Sequence, residues 1–238
     1  MGFLQQFFQN VFQQSPAYRD YAAEQAQRVL EAMEWHLAAG INEDFAWTEA
    51  VRPSGNSPIM PRQGYRHDVY RDAESGREIP VIIAAASREV LFPLFIQLIK
   101  RLGDSLDVVL ESSHDHSSSG HVDFYREQID APVLLSTLMD FEEFLTHDGC
   151  TGIAVLNPEI PQEVQFDEHK MLIIYGSPLE PFEHLLEQAG VRCIDDIEFI
   201  TDGEHVHCTT GEYQQCFEQL RNQLGIDADF GSTSFCEE

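Results

Sequence analysis

The chain has 238 residues, 43% of them hydrophobic, and carries 14 Lys and Arg against 41 Asp and Glu, a formal net charge of −27. That length is enough for one large domain or two small ones, each with a real core. So acidic a surface repels phosphate backbones and anionic lipid, which sets nucleic-acid and membrane-surface roles aside, and no run of about 18 apolar residues offers a membrane span.

The charge is uneven: residues 1–100 have a net of −3 and residues 101–238 a net of −24. Solubility is the plain reading of that asymmetry, and a cationic partner surface is the other. The chain begins without a basic n-region or cleavage site. Its five cysteines are scattered and lack a C-x-x-C pair, so reduced thiols in a cytoplasmic protein are expected.

Phe3, Leu4, Phe7, Phe8, Val11 and Phe12 fall on one helical stripe among Gln and Asn, which predicts an amphipathic helix over residues 1–15. Its polar face has no Lys or Arg of the kind a membrane-surface helix uses. It docks on the protein's own core or serves as a surface for a partner or for self-association. Ser15-Pro16 opens a second helix that ends near Gly40.

Strands are predicted over 45–51, 65–71 and 79–86, the last two joined by a turn at 72–76. Ser87 is placed to cap a helix that buries Val90, Leu91, Leu94, Phe95, Leu98, Ile99 and Leu102, and Gly103 ends it. Phe92 and Ile96 widen the apolar arc, so that helix is expected to be covered on more than one side. Strands follow at 106–111 and 121–125, then a helix containing Phe141 and Phe144 that closes at Gly149.

From Lys170 to Asp202 the pattern returns. "LIIYGS" at 172–177 precedes a helix with a capping box at Ser177, Pro178 and Glu180, and "DIEFITD" at 196–202 matches "DVVLESS" at 107–113. Asp202-Gly203 predicts a tight hairpin between strands at 197–201 and 205–208. Phe217, Leu220 and Gly225 line up with Phe141, Phe144 and Gly149 at one constant offset. Strands at 152–156 and 164–166 lie between the two copies.

The expected fold class is therefore α+β: two tandem α/β sandwich units with largely antiparallel sheets, arising by internal duplication and preceded by N-terminal helices. The boundaries are 1–15 for the amphipathic helix, 16–149 for a first α-βββ-α-ββ-α unit, 151–225 for a second βββ-α-ββ-α unit, and 226–238 for an acidic tail. This element order resembles the type III secretion chaperone-like fold, whose members are small, acidic, usually dimeric and bind other proteins. The resemblance implies a non-enzymatic interaction role with no catalytic residues. Residues 79–156 also parse as a β-α-β-β-α-β ferredoxin-like unit.

One polar constellation points to chemistry: His114, His116 and His121, with Asp115 and Asp123, and His205 with His207. Imidazoles two apart on a strand share a face, which suits a divalent metal such as zinc. Neither spacing matches an H-E-x-x-H signature, and "HDHSSSGH" also reads as a solvated loop. No G-x-S-x-G elbow is present, and Cys150 and Cys208 lie beside histidines only in sequence. Two function classes follow. The first is a protein-interaction or chaperone-like module with no cofactor, binding a protein partner or itself. The second is a metal-dependent enzyme built on the histidines.

Overall fold

Alternating strands together with continuously apolar ones build one wide antiparallel sheet, and a helix that is apolar nearly all round lies on it. The computed structural model describes residues 45–54, 59, 62–71, 76–114 and 122–226. All belong to the second of two units into which the chain divides, Phe45–Glu238. The helices expected over residues 1–40, the tail beyond Ile226, and His116 and His121 lie outside the described residues.

Among the described residues the order is β1 (Val51–Pro53), β2 (Gly64–Arg71), β3 (Glu78–Ala85), α1 (Arg88–Ile99), β4 (Ser105–Ser112), β5 (Val122–Asp130), α2 (Ala131–Asp140) and α3 (Glu142–His147). Then come β6 (Thr151–Leu156), β7 (Glu163–Phe166), β8 (Leu172–Tyr175), α4 (Glu180–Gln188), a 3-10 turn (Ile200–Asp202), β9 (His205–His207) and α5 (Gly211–Gln223). Seven strands form one sheet in the order β2-β3-β8-β7-β6-β4-β5, with antiparallel pairing throughout. The remaining two, β1 and β9, form a separate antiparallel ribbon. The α+β class with antiparallel sheets is thus the observed one.

Register explains the core. Ile82, Ile174, Val164, Val155 and Val108 stand in one row across five strands, and Ala84, Leu172, Phe166, Ile153 and Leu110 stand in the next. All ten are buried, because a period of two places them on the same face. Helix α1 lies over them, with the Phe95 ring 5.2 Å from that of Phe166. Val90, Leu91, Phe92, Leu94, Phe95, Ile96, Leu98 and Ile99 are all buried, so α1 is covered on several sides as its wide apolar arc implies.

The opposite face is covered at the β3–β8 end. There Ala50, Val51, Met171, Ile197, Phe199 and Ile200 form a second small core, against which Ile83, Ala85, Trp47 and Ile194 pack. Arg66 of β2 holds this layer in place. Its guanidinium donates to Ile197 O at 2.8 Å, lies 4.9 Å from the centre of the Phe199 ring and pairs with Asp202 at 3.6 Å.

Several local expectations are overturned. The strand expected at 45–51 is not there; the chain pairs instead at Val51–Pro53. Ser87 precedes α1 without capping it: its hydroxyl accepts from Ala46 N at 3.0 Å, tying the start of the described unit to the helix. Ser177 does not cap α4 either, because the helix begins at Glu180 after Leu179.

The hairpin expected at Asp202-Gly203 does not form. Asp202 turns its carboxylate back to accept from Phe199 N at 2.8 Å, which closes a 3-10 turn, and β9 pairs with β1 instead. The openings β3–α1 and β8–α4 share a strand-then-helix order, but β4–β5 join the large sheet whereas β9 leaves it. That sheet also draws strands from both sides of the expected 149/151 boundary. No helix among the described residues is long and apolar enough to cross a membrane.

Phe166 is buried beneath α1, so Phe166→Ala should cost about 3–5 kcal/mol in urea denaturation. Tyr125, 53% exposed on edge strand β5, should tolerate alanine within about 0.5 kcal/mol. Equal losses at the two sites would contradict this layering.

Candidate metal centre

Strand β9 presents His205 and His207 on one face and turns Val206, 56% exposed, to the other. The third imidazole comes from the tight turn between β7 and β8. Asp167 closes that turn: its main chain bonds to that of Met171 at 3.1 Å, and its carboxylate accepts from Met171 N at 2.7 Å. Lys170 sits at φ 62, which lets the chain reverse within five residues. His169 rides on this turn, and its ring centre lies 4.9 Å from that of His205 and 4.7 Å from that of His207.

The hydrogen bonds made by the other ring nitrogens decide what this trio can do. His205 Nδ1 lies 2.8 Å from Gly203 O, and His207 Nδ1 lies 2.6 Å from Gly149 O. A carbonyl oxygen only accepts, so each Nδ1 carries the proton and donates it. His169 Nδ1 likewise donates to Asp167 Oδ2 at 2.9 Å. In each neutral ring the lone pair is therefore on Nε2. The three histidines each offer a ring nitrogen within 4.8 Å of the others. A tetrahedral ion with Zn–N bonds of about 2.0–2.1 Å holds its nitrogens about 3.4 Å apart, so the trio would have to close by up to about 1.4 Å to ligate one. Carboxylate or carbonyl acceptors behind ligating imidazoles fix the ring and raise its basicity. At His169 burial opposes the charged ring, but the hydrogen bond and charge of Asp167, with Glu168 behind it, win and hold its pKa above the usual histidine value.

Gly149 registers the centre against the large sheet. Its N–H donates to Cys208 O at 2.8 Å while its carbonyl accepts from the His207 ring, so its backbone is held against the end of β9. A Cβ there would collide with Ala50 O and lie 2.9 Å from the Cys208 backbone, and only glycine fits.

Next to this trio is a second polar group around Asp148, which is 0% exposed. Its carboxylate accepts from Thr151 Oγ1 at 2.6 Å, Thr209 Oγ1 at 2.5 Å and His114 Nε2 at 2.9 Å. Burial alone would raise its pKa, but these three bonds outweigh it and hold the carboxyl below its ordinary value. Buried Lys170 donates to Thr151 O at 2.8 Å and lies 5.0 Å from the centre of the Phe166 ring. Desolvation lowers its pKa to about 8 against the pull of Asp148, Asp167 and Glu168. His114, Asp148 and Cys150 have the spacing of a metal site. Three donors already occupy the carboxylate, however, burial pushes the Cys150 thiol up, and Lys170 supplies the positive charge. It is a charge-compensated structural network.

The expected histidine cluster is thus divided. His205 and His207 meet at the centre, and His114 belongs to the Asp148 network. His169 was missed; the only local signal was an Asp-x-His pair on a short turn between two apolar strands. Comparison with protein-family models, curated proteins and solved structures gives no significant match to any of them.

Asp148 has a depressed folded pKa, so its contribution is complete above the ordinary 3.8 and is lost as pH falls through the folded value. Asp148→Asn should therefore cost about 3–5 kcal/mol at neutral pH, the penalty for removing one partner of a buried charge network. The gap in urea midpoint from wild type should close as the pH drops below 3.8. A gap that is the same on both sides of that value would contradict the charge assignment.

Proposed function

We propose that the chain is a metal-binding protein whose centre, His169, His205 and His207, takes one divalent first-row ion of the zinc class. The observation that carries this reading is that one ring nitrogen of each of the three histidines lies within 4.8 Å of the others, while every Nδ1 has an oxygen acceptor, which puts the lone pair of each neutral ring on Nε2. Imidazole nitrogen suits zinc, copper, nickel and iron, and zinc imposes no electronic geometry of its own on a site closed by small movements. The Asp167–His169 pair supplies the carboxylate–histidine support that such ions use.

The protein-interaction reading rests on the repeated α+β pattern, the acidic residues 101–238, the lack of a catalytic signature and the apolar stripe of Phe3, Leu4, Phe7, Phe8, Val11 and Phe12; the stripe lies outside the described residues, and the metal reading is preferred because its three histidines are brought together.

Full-length protein prepared without chelator and reloaded with zinc should hold one equivalent by elemental analysis, and melt at a higher temperature than the stripped protein. His169→Ala, His205→Ala and His207→Ala should each lose that equivalent. Asp167→Asn should weaken zinc about 10–100-fold while keeping the site. Retention of the equivalent by a His205→Ala/His207→Ala double variant would place the metal elsewhere and end this reading.

A further inference from the structure

We infer that residues 45–50 form an acid-released strap, held shut by the neutral imidazole of His147, and this stands apart from the metal reading. The strap leads into β1. Its Trp47 packs against the second small core, and its Ala50 belongs to that core. Backbone bonds tie both ends. Ala46 N donates to Ser87 Oγ at 3.0 Å, Arg88 N donates to Ala46 O at 2.9 Å, and Cys208 N donates to Ala50 O at 2.7 Å. Between these ends Glu49 N donates to Nδ1 of His147, the last residue of α3, at 3.0 Å.

The direction of that last bond makes it a switch. A backbone N–H only donates, so Nδ1 holds a lone pair and the proton of the neutral ring is on Nε2. A second proton on Nδ1 sets donor against donor, and the Glu49 amide loses its acceptor. Burial disfavours that proton and outweighs the pull of Glu143, one turn back on α3, and of Glu49 itself. Arg88 of α1 and Arg52 of β1 also oppose it, so the folded pKa lies below the ordinary 6.5. Tyr213 of α5, held above its usual value by burial and by the same two carboxylates, stays neutral throughout. The contribution of the bond is therefore complete above pH 6.5 and falls as the pH drops from there to the folded value, where the ring charges. The charged ring is then drawn to the Glu143 and Glu49 carboxylates instead of the amide.

The release is local, because the ties at Ala46 and Ala50 end on a hydroxyl and on backbone, which do not titrate in this range. Residues 47–49 are the part set free. Phe45, Ala46, Trp47 and Thr48 line a small recess together with Lys170, Met171 and Phe199. Its volume is about 30 Å³, against the roughly 10–15 Å³ that one water needs, so with the strap shut it has room for about two waters. Acid release of the strap opens this recess to larger molecules.

The test is amide hydrogen exchange on the full chain, read at each pH as protection relative to the unfolded rate. From pH 7.5 to 4.5 the protection of the Glu49 amide should fall at least tenfold, while that of Ile82 and Val155 in the large sheet changes less than twofold. NMR of the His147 ring should show Nδ1 unprotonated at pH 7.5. Its protonation midpoint should lie below 6.5 and coincide with the midpoint of the Glu49 loss. In His147→Gln the side-chain oxygen accepts at every pH in this range, so the Glu49 loss should disappear. Should that variant unfold, the coincidence of the two midpoints in the wild type decides by itself. Glu49 protection that holds down to pH 4.5, a loss that persists in a folded His147→Gln, or two separate midpoints overturns the strap. So does an equal loss at Ile82 and Val155, which marks global unfolding instead of local release.

Discussion

A single residue, Gly149, ties the small ribbon to the large sheet, and the centre depends on it. Three-residue strands such as β1 and β9 have few ladder bonds of their own, and an isolated two-stranded ribbon is marginal in water. Gly149 extends that ribbon with one bond to Cys208 and one to His207, while the next residues run straight into β6 near the middle of the seven-stranded sheet. Cys208 in turn donates to Ala50 O at 2.7 Å, so β1, β9 and the entry to β6 are joined edge to edge. Met171, Val51 and Phe199 then bury the seam from the other side. The imidazoles meet because this seam is held by backbone, whose geometry tolerates little drift.

Much of the large sheet was legible from sequence because its determinants are local. Strands β2, β3, β4, β6, β7 and β8 lie close to where the apolar runs fall, and α1 ends before Gly103, whose φ of 129 no side chain readily adopts. Two of the failures trace to polar side chains that bond elsewhere than the local pattern suggests. Ser87 looked like a helix cap, but its hydroxyl is taken by Ala46. Asp202-Gly203 looked like a hairpin corner, but Gly203 is extended at φ −136 and Asp202 is held between Phe199 N and Arg66. With that corner gone, β9 was free to pair with β1, a partner no local pattern could name.

The site was half legible for the same reason. Alternation puts His205 and His207 on one face wherever β9 lies, so that pair could be read directly. His169 joins them only because β7 and β8 pair as neighbours and Met171 buries itself beside Val51 and Phe199. His114 went the other way. Its imidazole packs 5.7 Å from the Phe217 ring and bonds to Asp148, both contributed by distant segments. Residue type and spacing name candidate ligands, whereas the sheet order decides which of them meet.

Neighbouring residues of one turn carry the two charge arrangements, and their separation makes the centre possible. His169 turns its ring toward β9, while Lys170, in the left-handed region, sends its ammonium inward to Thr151 O. An ammonium buried without compensation would simply lose its proton or open the turn, because desolvation penalises the charged form heavily. Asp148 compensates it from the far side of Thr151, and Asp148 is itself kept ionised by His114 and two threonines. The turn is thereby pinned at Lys170 by electrostatics and at Asp167 by its own hydrogen bonds. A ligand on a turn fixed at both neighbours would lose little freedom on closing around an ion, so the binding proposed for the three histidines costs little ordering at His169.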